Sequence, residues 1–328
     1  MLDKNAITAT SLELYYGISG KQFQRQYKTK LSKFKDWVFK SHSERYLIYP
    51  SNIGSSMAID ETAFSNGELY TIVTNKLKKG KRGSIAAIIQ GTKAGDIIEV
   101  LSRIPKHIRD KVKEITLDMA PTMNQIAKVC FGQAQRVTDR FHVQKLVQEA
   151  VQEIRIKHRW EALEQENDEI KRARGQSQRF VPKIFPNGDT RKQLLARSRY
   201  LLFKSPINWT ESQNERARIL FHQYPDIQKA YLLSQELWNI YNMKISKGLA
   251  FTKMAQWFRN IEQCGFSSFL TIRRTFEQHY YSILNYFDNR STNAFAESFN
   301  SKIKDFRRVF RGVRDTKFFL FRLTQIFA

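Results

Sequence analysis

The chain has 328 residues, and its 55 Lys and Arg against 31 Asp and Glu give a formal net charge of +24. Cationic side chains recruit polyanions by releasing counterions from phosphate backbones, so nucleic acid is the expected partner, although a ribosome-associated or acidic-membrane protein would be equally basic. The two cysteines, Cys130 and Cys264, stand far apart and exclude both a CxxC zinc module and a disulfide framework. No apolar run approaches the roughly 20 residues that cross a bilayer, and no signal peptide is evident, so we expect a cytoplasmic protein.

Residues 1–55 form a basic segment whose pattern indicates two helices. One helix is predicted to end at Tyr16, a tight turn covers residues 17–20, and a second helix spans residues 21–38. This outline is typical of a helix-turn-helix, whose second helix enters a major groove and contacts phosphates. The candidate DNA-binding residues of this segment are Arg25, Lys28 and Lys30. The alternative is an amphipathic helix that packs on the next domain through Phe23, Tyr27, Leu31, Phe34 and Trp37, and both interpretations can hold at once.

From residue 57 the pattern changes from helical to strand-like, with apolar runs at residues 57–60, 68–75 and 84–90 that predict three antiparallel strands. A helix at 94–112, a strand that ends before Asp118, a helix at 122–131 and a strand at 135–138 follow. This order predicts a ribonuclease-H-like mixed sheet, of the α+β or α/β class, in which the first and fourth strands are neighbours.

Beyond residue 141 the chain is predicted to be almost entirely helical and strongly charged. The predicted helices span residues 143–174, 191–203, 211–223, 226–245, 251–263 and 266–287. We therefore expect a large all-helical insertion in the core. The predicted organisation is a helix-turn-helix-like segment at 1–55, the first part of the core at 56–150, the insertion at 151–284 and the C-terminal helices of the core at 285–328.

Three acidic residues occupy contexts that suit metal-dependent phosphoryl transfer. Asp60 and Asp118 each close a short apolar run, and Glu297 lies in a stretch with helical periodicity. In the predicted sheet the two aspartates are neighbours, so their charges repel unless cations neutralise them. Carboxylates bind hard divalent cations, and two such ions can clamp both sides of an in-line displacement at phosphorus. The pattern favours a nuclease or a transposase that uses two Mg²⁺ or Mn²⁺ ions.

The segment around Glu297 predicts one polar helical face, because Asn293, Glu297, Asn300 and Lys304 follow at spacings of four, three and four residues. A glutamate that binds a cation, with a lysine two turns later, can hold metal and phosphate together. The alternative is a solvated polar face without function. The candidate DNA-binding residues of this region are Asn293, Asn300, Lys304, Arg307, Arg308 and Arg311.

Asp139 and His142 lie at the end of the last predicted strand, near the expected active-site edge. His142 can orient a phosphate or a water molecule, whereas a lone histidine beside a strand end is more often structural. We therefore assign both residues as candidate accessory residues. Glu61 follows Asp60 but is expected on the opposite face of its strand, so it is a poor ligand candidate.

Five segments together resemble the DDE transposases of bacterial insertion sequences of the ISL-three group. More narrowly, they are similar to the Aon-type branch, in which a separate short protein supplies the extreme N-terminal region. The segments are AIDETAFSNGELYTIVTN, EITLDMAPTM, QRVTDRFHVQKLVQEAV, RYLLFKSPINWTESQNERARILF and DNRSTNAFAESFNSKIKDFRRVFRGVRDTKFFLFRLTQIF. The resemblance implies that Asp60, Asp118 and Glu297 form the catalytic triad. Relatives usually begin with a cysteine-rich zinc-binding segment, which this chain lacks, and similar transposases carry an arginine where Asn293 stands.

The activity expected from this resemblance is hydrolytic nicking of double-stranded DNA at transposon ends. The freed 3′-hydroxyl then attacks target DNA at the same carboxylates. A homo-oligomer is expected because two ends must be brought together, and the protein would associate with the bacterial nucleoid. Two alternatives stay open: a ribonuclease-H-like nuclease without strand transfer, and a non-catalytic DNA-binding protein derived from a transposase.

Overall fold

The computed structural model describes residues 1–65, 67–310 and 313–328 of the chain. It divides into two compact units, of which the first comprises Met1–Asp139 with Asn289–Ala328 and the second comprises Arg140–Asp288. The sequence placed the corresponding borders of the helical insertion at 150/151 and 284/285. Within the part of the chain that the structure describes, none of the helices is both long and apolar enough to span a membrane.

The first unit is built on a six-stranded mixed sheet with the order β1-β4-β3-β2-β5-β6. β2 pairs antiparallel with β3 and parallel with β5, and β5 pairs parallel with β6. The prediction of a ribonuclease-H-like core in which the first and fourth core strands lie side by side is therefore confirmed. An edge strand, β1, was not predicted and pairs with β4. The strands are β1 Tyr46–Ile48, β2 Ser56–Ser65, β3 Glu68–Asn75, β4 Ile85–Gln90, β5 Glu114–Leu117 and β6 Gln135–Thr138.

Five helices of the first unit precede residue 140. They are α1 Thr10–Tyr16, α2 Gly20–Gln26, α3 Ala94–Ser102, α4 Lys106–Arg109 and α5 Pro121–Cys130. The helix predicted over residues 94–112 is interrupted, because Pro105 has no backbone N–H and disfavours a helical residue before it. The chain resumes as α4 after Pro105, which is the N-cap of that helix.

The N-terminal segment contains the predicted pair of helices, but the second is shorter than predicted. α2 continues as a π-helical turn at Tyr27–Leu31 and ends at Ser32, whose backbone is extended. A Cβ atom at Gly20 would lie 2.5 Å from the Cα of Thr10, so the close approach of α1 and α2 requires glycine there. The helix predicted over residues 21–38 is wrong beyond Leu31.

The second unit is helical. Its helices are α6 Arg140–Gly175, α7 Arg191–Arg197, α8 Glu211–Gln223, α9 Pro225–Asn242, α10 Lys247–Cys264, α11 Ser267–Gln278, α12 Tyr280–Leu284 and α13 Tyr286–Asn289. The predicted helix at 191–203 ends early at Arg197, and the one predicted at 266–287 is three shorter helices. Trp257 is fully buried, and its Nε1 donates to the carbonyl of Leu233 at 2.9 Å, so the polar end of the ring is satisfied inside the helical core.

The C-terminal part of the first unit contains α14, Ala294–Val309, and α15, Thr316–Phe327. These helices bury Phe299, Ile303 and Leu323 in one apolar core with residues of β3 and β4. A second apolar core, on the other face of β2 and β5, contains residues of α3 and α5. The sheet is therefore covered on both faces, by α14 and α15 on one and by α3 and α5 on the other.

The amphipathic packing proposed for the N-terminal segment is confirmed. Tyr27 and Phe34 are buried in a third apolar cluster with Phe318 and Phe321 of α15. The exception is Leu31, which is 63% exposed. Arg322 of α15 is 1% exposed, and its guanidinium donates to backbone carbonyls of the N-terminal residues Leu2, Asn5 and Ile7.

Candidate active site

Asp60 and Asp118 lie on the face of the sheet that α14 covers. Ala58 of β2 pairs with Thr116 of β5, and each aspartate lies two residues further along its strand direction. Because side chains alternate between faces with a period of two, both carboxylates lie at the same level on one face of two parallel neighbours. The chain order alone, with 58 positions between the aspartates, does not require this placement.

The pKa of Glu61 reports the charge that accumulates at this level of the sheet. Burial raises the pKa of its carboxyl above the ordinary value, and the negative charges of Asp118 and Asp60 raise it further. Electrostatic coupling of one carboxyl to both aspartates requires that all three lie close together. The carboxyl groups of Asp60, Glu61 and Asp118 are therefore near one another, where β2 and β5 stop pairing.

Hydrogen bonds hold both aspartates in place. The Oδ1 of Asp60 accepts from the backbone N–H of Glu61 at 2.8 Å, and its Oδ2 accepts from the Nδ2 of Asn300 at 2.7 Å. The Oδ1 of Asp118 accepts from the backbone N–H of Ala120 at 2.8 Å. Each carboxylate is half-buried and oriented by a neighbour, which is the preorganisation that a cation-binding site needs.

Asp139 extends the same edge of the sheet by one strand. Its backbone N–H donates to the carbonyl of Leu117 at 2.9 Å, and only 1% of the residue is exposed. Its Oδ1 accepts the backbone N–H of Asn293, the N-cap residue of α14, at 3.1 Å. A carboxylate at this position also interacts favourably with the positive end of the helix dipole. Asp139 thus fixes the beginning of the helix that carries Glu297.

Glu297 lies in the first turn of α14 and is half-buried. One of its carboxylate oxygens lies within 4.8 Å of a carboxylate oxygen of Asp139. One turn later, Asn300 reaches Asp60, and near the end of the helix the Nη1 of Arg307 donates to the carbonyl of Ala63 at 3.1 Å. The helix is therefore tied to the ends of both β6 and β2.

Asp60 and Asp118 therefore lie at one level of the sheet face that α14 covers, and Asp139 and Glu297 form a close pair where α14 begins. Glu297 approaches Asp139, which the sequence analysis treated as an accessory residue. The catalytic roles of the triad remain predictions. His142 is half-buried in the first turn of α6, three residues beyond Asp139, and its role also remains a prediction.

Sequence reasoning missed a buried polar cluster on the same sheet face. The Nζ of Lys76 donates to Thr116 Oγ1 at 2.7 Å and to Glu114 Oε1 at 3.3 Å, and it also contacts the Oγ of Ser291. Ser291 donates to Glu114 as well, and so does the side chain of Asn289. The cluster attaches the segment before α14 to β5. A lysine after one strand and a glutamate at the start of another look like surface residues in a sequence, so no local signal identified them.

Opposing effects set the pKa values inside this cluster. Burial lowers the pKa of Lys76, and the charge of Glu114 counteracts part of that change. For Glu114, burial alone would raise the pKa, but the hydrogen bond from Ser291 and the charge of Lys76 outweigh it, so the pKa lies below its usual value. Two charges that are only about one-tenth exposed are therefore held as an ion pair.

The candidate DNA-binding residues differ in their exposure. Asn293 and Asn300 are 1% and 7% exposed, because α14 packs them against residues in or next to the β-strands, and their role in DNA binding stays a prediction. Arg307 is half-buried on Ala63, and Lys28 is partly exposed and paired with Asp315. Arg311 lies outside the described residues. The exposed members of the set are Arg25, Lys30, Lys304 and Arg308.

Comparison with known proteins places this geometry in a family. A family model described as "Transposase", for the DDE transposases of the ISL3 group, matches residues 57–323, which include every carboxylate of the site. The chain is also similar to the transposase for insertion sequence element IS1557 of Mycobacterium tuberculosis, in strains CDC 1551 / Oshkosh and ATCC 25618 / H37Rv, with 26% identity over 127 residues. That alignment covers 39% of this chain and 28% of each relative, so the chain matches less than a third of the relatives' own length. The chain belongs to the DDE transposases of the ISL3 group.

Proposed function

We propose that the protein is a metal-dependent DNA transposase that nicks DNA at transposon ends and joins the freed 3′ end to target DNA. The observation that carries the proposal is the path of α14. The helix begins on Asp139, brings Glu297 to within 4.8 Å of that residue and contacts Asp60 through Asn300. The helix that carries the predicted third carboxylate is therefore attached to the strand that carries the first, which supports the proposal.

The donor atoms of this site suit a hard divalent cation. They are carboxylate oxygens on rigid elements, two of them within 4.8 Å of one another, and oxygen donors are the ligands that Mg²⁺ and Mn²⁺ take. Asp60, Asp118 and Glu297 would hold two Mg²⁺ or Mn²⁺ ions. When bound, such ions stabilise the charge on the attacking and leaving oxygens of a phosphodiester.

The chain's own residues would orient the reactants around these carboxylates. Asn300 fixes the rotamer of Asp60 by its 2.7 Å hydrogen bond, and the Lys76 cluster fixes the segment that leads into α14. Lys304 and Arg308 are exposed on α14 beyond Glu297, where they would hold the DNA backbone. Glu297 and the phosphate contacts therefore belong to one helix, which aligns the scissile bond with the carboxylates.

The proposed partners follow from the proposed reaction. They are double-stranded DNA, as transposon ends and as target, a second copy of the chain that pairs two ends, and a separate short protein that supplies an N-terminal region. The exposed residues Arg25 and Lys30 would contribute DNA contacts from the N-terminal segment. We place the protein in the cytoplasm, in association with the nucleoid.

A joining assay tests this proposal. A pre-cut duplex with the terminal sequence of the element that encodes the protein is incubated with supercoiled plasmid and Mg²⁺, and joined products are counted. The proposal predicts joined products for the natural protein and none for Asp60→Asn. Cleavage of uncut ends without any joining would instead support a ribonuclease-H-like nuclease. Binding without cleavage would support a non-catalytic DNA-binding protein.

A further inference from the structure

The side chain of Asn293 is a buried polar group without a protein partner. The residue is 1% exposed, and among residues 1–65, 67–310 and 313–328 neither its Oδ1 nor its Nδ2 makes a hydrogen bond. Buried amides are almost always satisfied, because removing them from water without compensation costs free energy. An unsatisfied amide at this position therefore indicates a ligand that the protein itself does not provide.

Asn293 lies beside the two carboxylates that approach each other most closely. Its backbone N–H donates to Asp139 at 3.1 Å, and its carbonyl accepts from the backbone N–H of Glu297 at 3.0 Å. Asn293 also precedes Glu297 by four residues, a spacing at which two side chains share a helical face. The buried amide of Asn293 is thus joined through its own backbone to both members of the carboxylate pair, whose oxygens lie within 4.8 Å of each other.

The chemistry of this carboxylate pair favours a cation. Negative charge on two carboxylates at such a distance is stabilised by a cation that both can bind. The ammonium of Lys76 makes hydrogen bonds to Thr116, Glu114 and Ser291, and its charge also acts on Asp139. Carboxylate and amide oxygens are both ligands for Mg²⁺ and Mn²⁺, so a divalent ion would neutralise the pair and satisfy the Oδ1 of Asn293 at once.

We propose that Asp139, Glu297 and the Oδ1 of Asn293 bind one divalent cation, which makes Asp139 a metal ligand in addition to the predicted triad. This inference rests on the proposed function, because it deepens the cation requirement of that site. Glu297 would then share cations with carboxylates on two sides: with Asp139 after β6, and with Asp60 of β2 and Asp118 after β5.

Mn²⁺ binding to the full-length protein, measured by electron paramagnetic resonance without DNA, tests the proposal. Asp139→Asn keeps the oxygen that accepts the backbone N–H of Asn293 but loses the charge, so it separates metal binding from attachment of the helix. We expect the affinity for one bound Mn²⁺ to fall about tenfold or more. Asp305→Asn, an equal charge change at an exposed position of α14, serves as the matched control and should bind like the natural protein. Unchanged number and affinity of bound Mn²⁺ in Asp139→Asn would overturn the proposal.

Asn293→Asp gives an independent result, because it replaces the proposed amide ligand by a carboxylate. If the side chain binds the cation, Mn²⁺ binds more tightly, and added Mn²⁺ raises the melting temperature more than in the natural protein. If the amide has no ligand, the new charge beside Asp139 lowers the melting temperature and leaves Mn²⁺ affinity unchanged, which contradicts the proposal. If the protein binds Mn²⁺ through Asp139 but neither nicks nor joins DNA, the proposed function is contradicted and the proposed cation site is supported.

Discussion

The two faces of β2 and β5 differ in polarity, because alternate residues of the same strands point to opposite faces. On one face, Ile59, Ile115 and Leu117 are buried in an apolar core with α3 and α5. On the other face, Asp60, Glu114 and Asp118 form an anionic surface that α14 covers with Asn293, Glu297 and Asn300. The comparison indicates a division of roles between the two faces. Packing of the apolar face holds β2 and β5 in register, and this register positions the carboxylates on the opposite face. Substitutions on the apolar face should therefore change stability and spare the chemistry.

The largest expected change in stability comes from the buried ion pair on the polar face. Lys76→Met leaves Glu114 buried without its cation, so we expect the free energy of unfolding to fall by about 3–5 kcal/mol in urea denaturation. Adding Glu114→Gln should restore most of the loss, because no charge is then left unpaired. Lys106→Met, at the exposed pair with Asp110, should change the free energy by about 1 kcal/mol or less. Similar losses in the two lysine variants would show that the buried cluster does not hold α14 in place.

The apolar face should respond in stability alone. Leu117→Ala removes a fully buried side chain from the apolar core next to Asp118 in the chain, so the free energy of unfolding should fall by about 3 kcal/mol, with an unchanged dependence on urea concentration. Below the melting temperature of the variant, Mg²⁺-dependent nicking should persist. Leu69→Ala, at a position 43% exposed, is the matched control and should cost about 1 kcal/mol or less. A folded Leu117→Ala protein without any nicking would contradict the separation of the two faces.

Asn300 links α14 to the first aspartate and should affect cation affinity more than stability. Asn300→Ala removes the 2.7 Å hydrogen bond to Asp60, so the Mg²⁺ concentration for half-maximal nicking should rise about tenfold. Ser301→Ala, the next residue on the same helix, removes a hydrogen bond to the carbonyl of Glu297 and should leave the Mg²⁺ requirement unchanged. An equal Mg²⁺ requirement in both variants would mean that Asn300 does not orient the carboxylate.

The smallest effects are expected from the exposed cations of α14. Lys304→Ala and Arg308→Ala should each reduce the slope of log affinity against log salt concentration by about one, because each residue releases about one counterion from DNA. The measurement is fluorescence anisotropy of a labelled duplex at several salt concentrations. Lys171→Ala, an equally exposed cation in the second unit, serves as the control. If Lys171→Ala reduces the salt dependence of DNA affinity by the same amount, the affinity depends on the net charge of the protein rather than on contacts made by α14.

Sequence patterns predicted the strands well because their information is local. The runs at 68–75 and 135–138 match β3 and β6, and the order of elements was sufficient to predict that β2 and β5 are neighbours. The pairing of distant polar groups was not predictable in this way. Lys76 meets Ser291 across 215 positions, and nothing in either local context distinguishes a buried lysine from a solvated one.

The same limit applies to the polar residues of α14 and to the N-terminal helix. Asn293 and Asn300 share a polar face with Glu297, and the sequence analysis assigned both asparagines to DNA binding. In the structure that face packs on the strand ends, because a polar helical face can be satisfied by buried carboxylates as well as by water. The early end of the N-terminal helix at Leu31 has a similar origin, since Phe34 leaves the helical path and packs on Phe318 of α15.

Nicking of DNA by Asp118→Asn in the presence of Mg²⁺ tests the central claim most directly. Asp118 directly follows β5 and acts electrostatically on Glu61, and its replacement by an isosteric amide keeps the hydrogen bond from Ala120 while removing one negative charge. The account predicts that nicking falls by roughly 10²–10³-fold or more, while duplex affinity and melting temperature stay as in the natural protein. Nicking at the natural rate by a folded, DNA-binding Asp118→Asn protein would contradict the assignment of these strand ends as the active site.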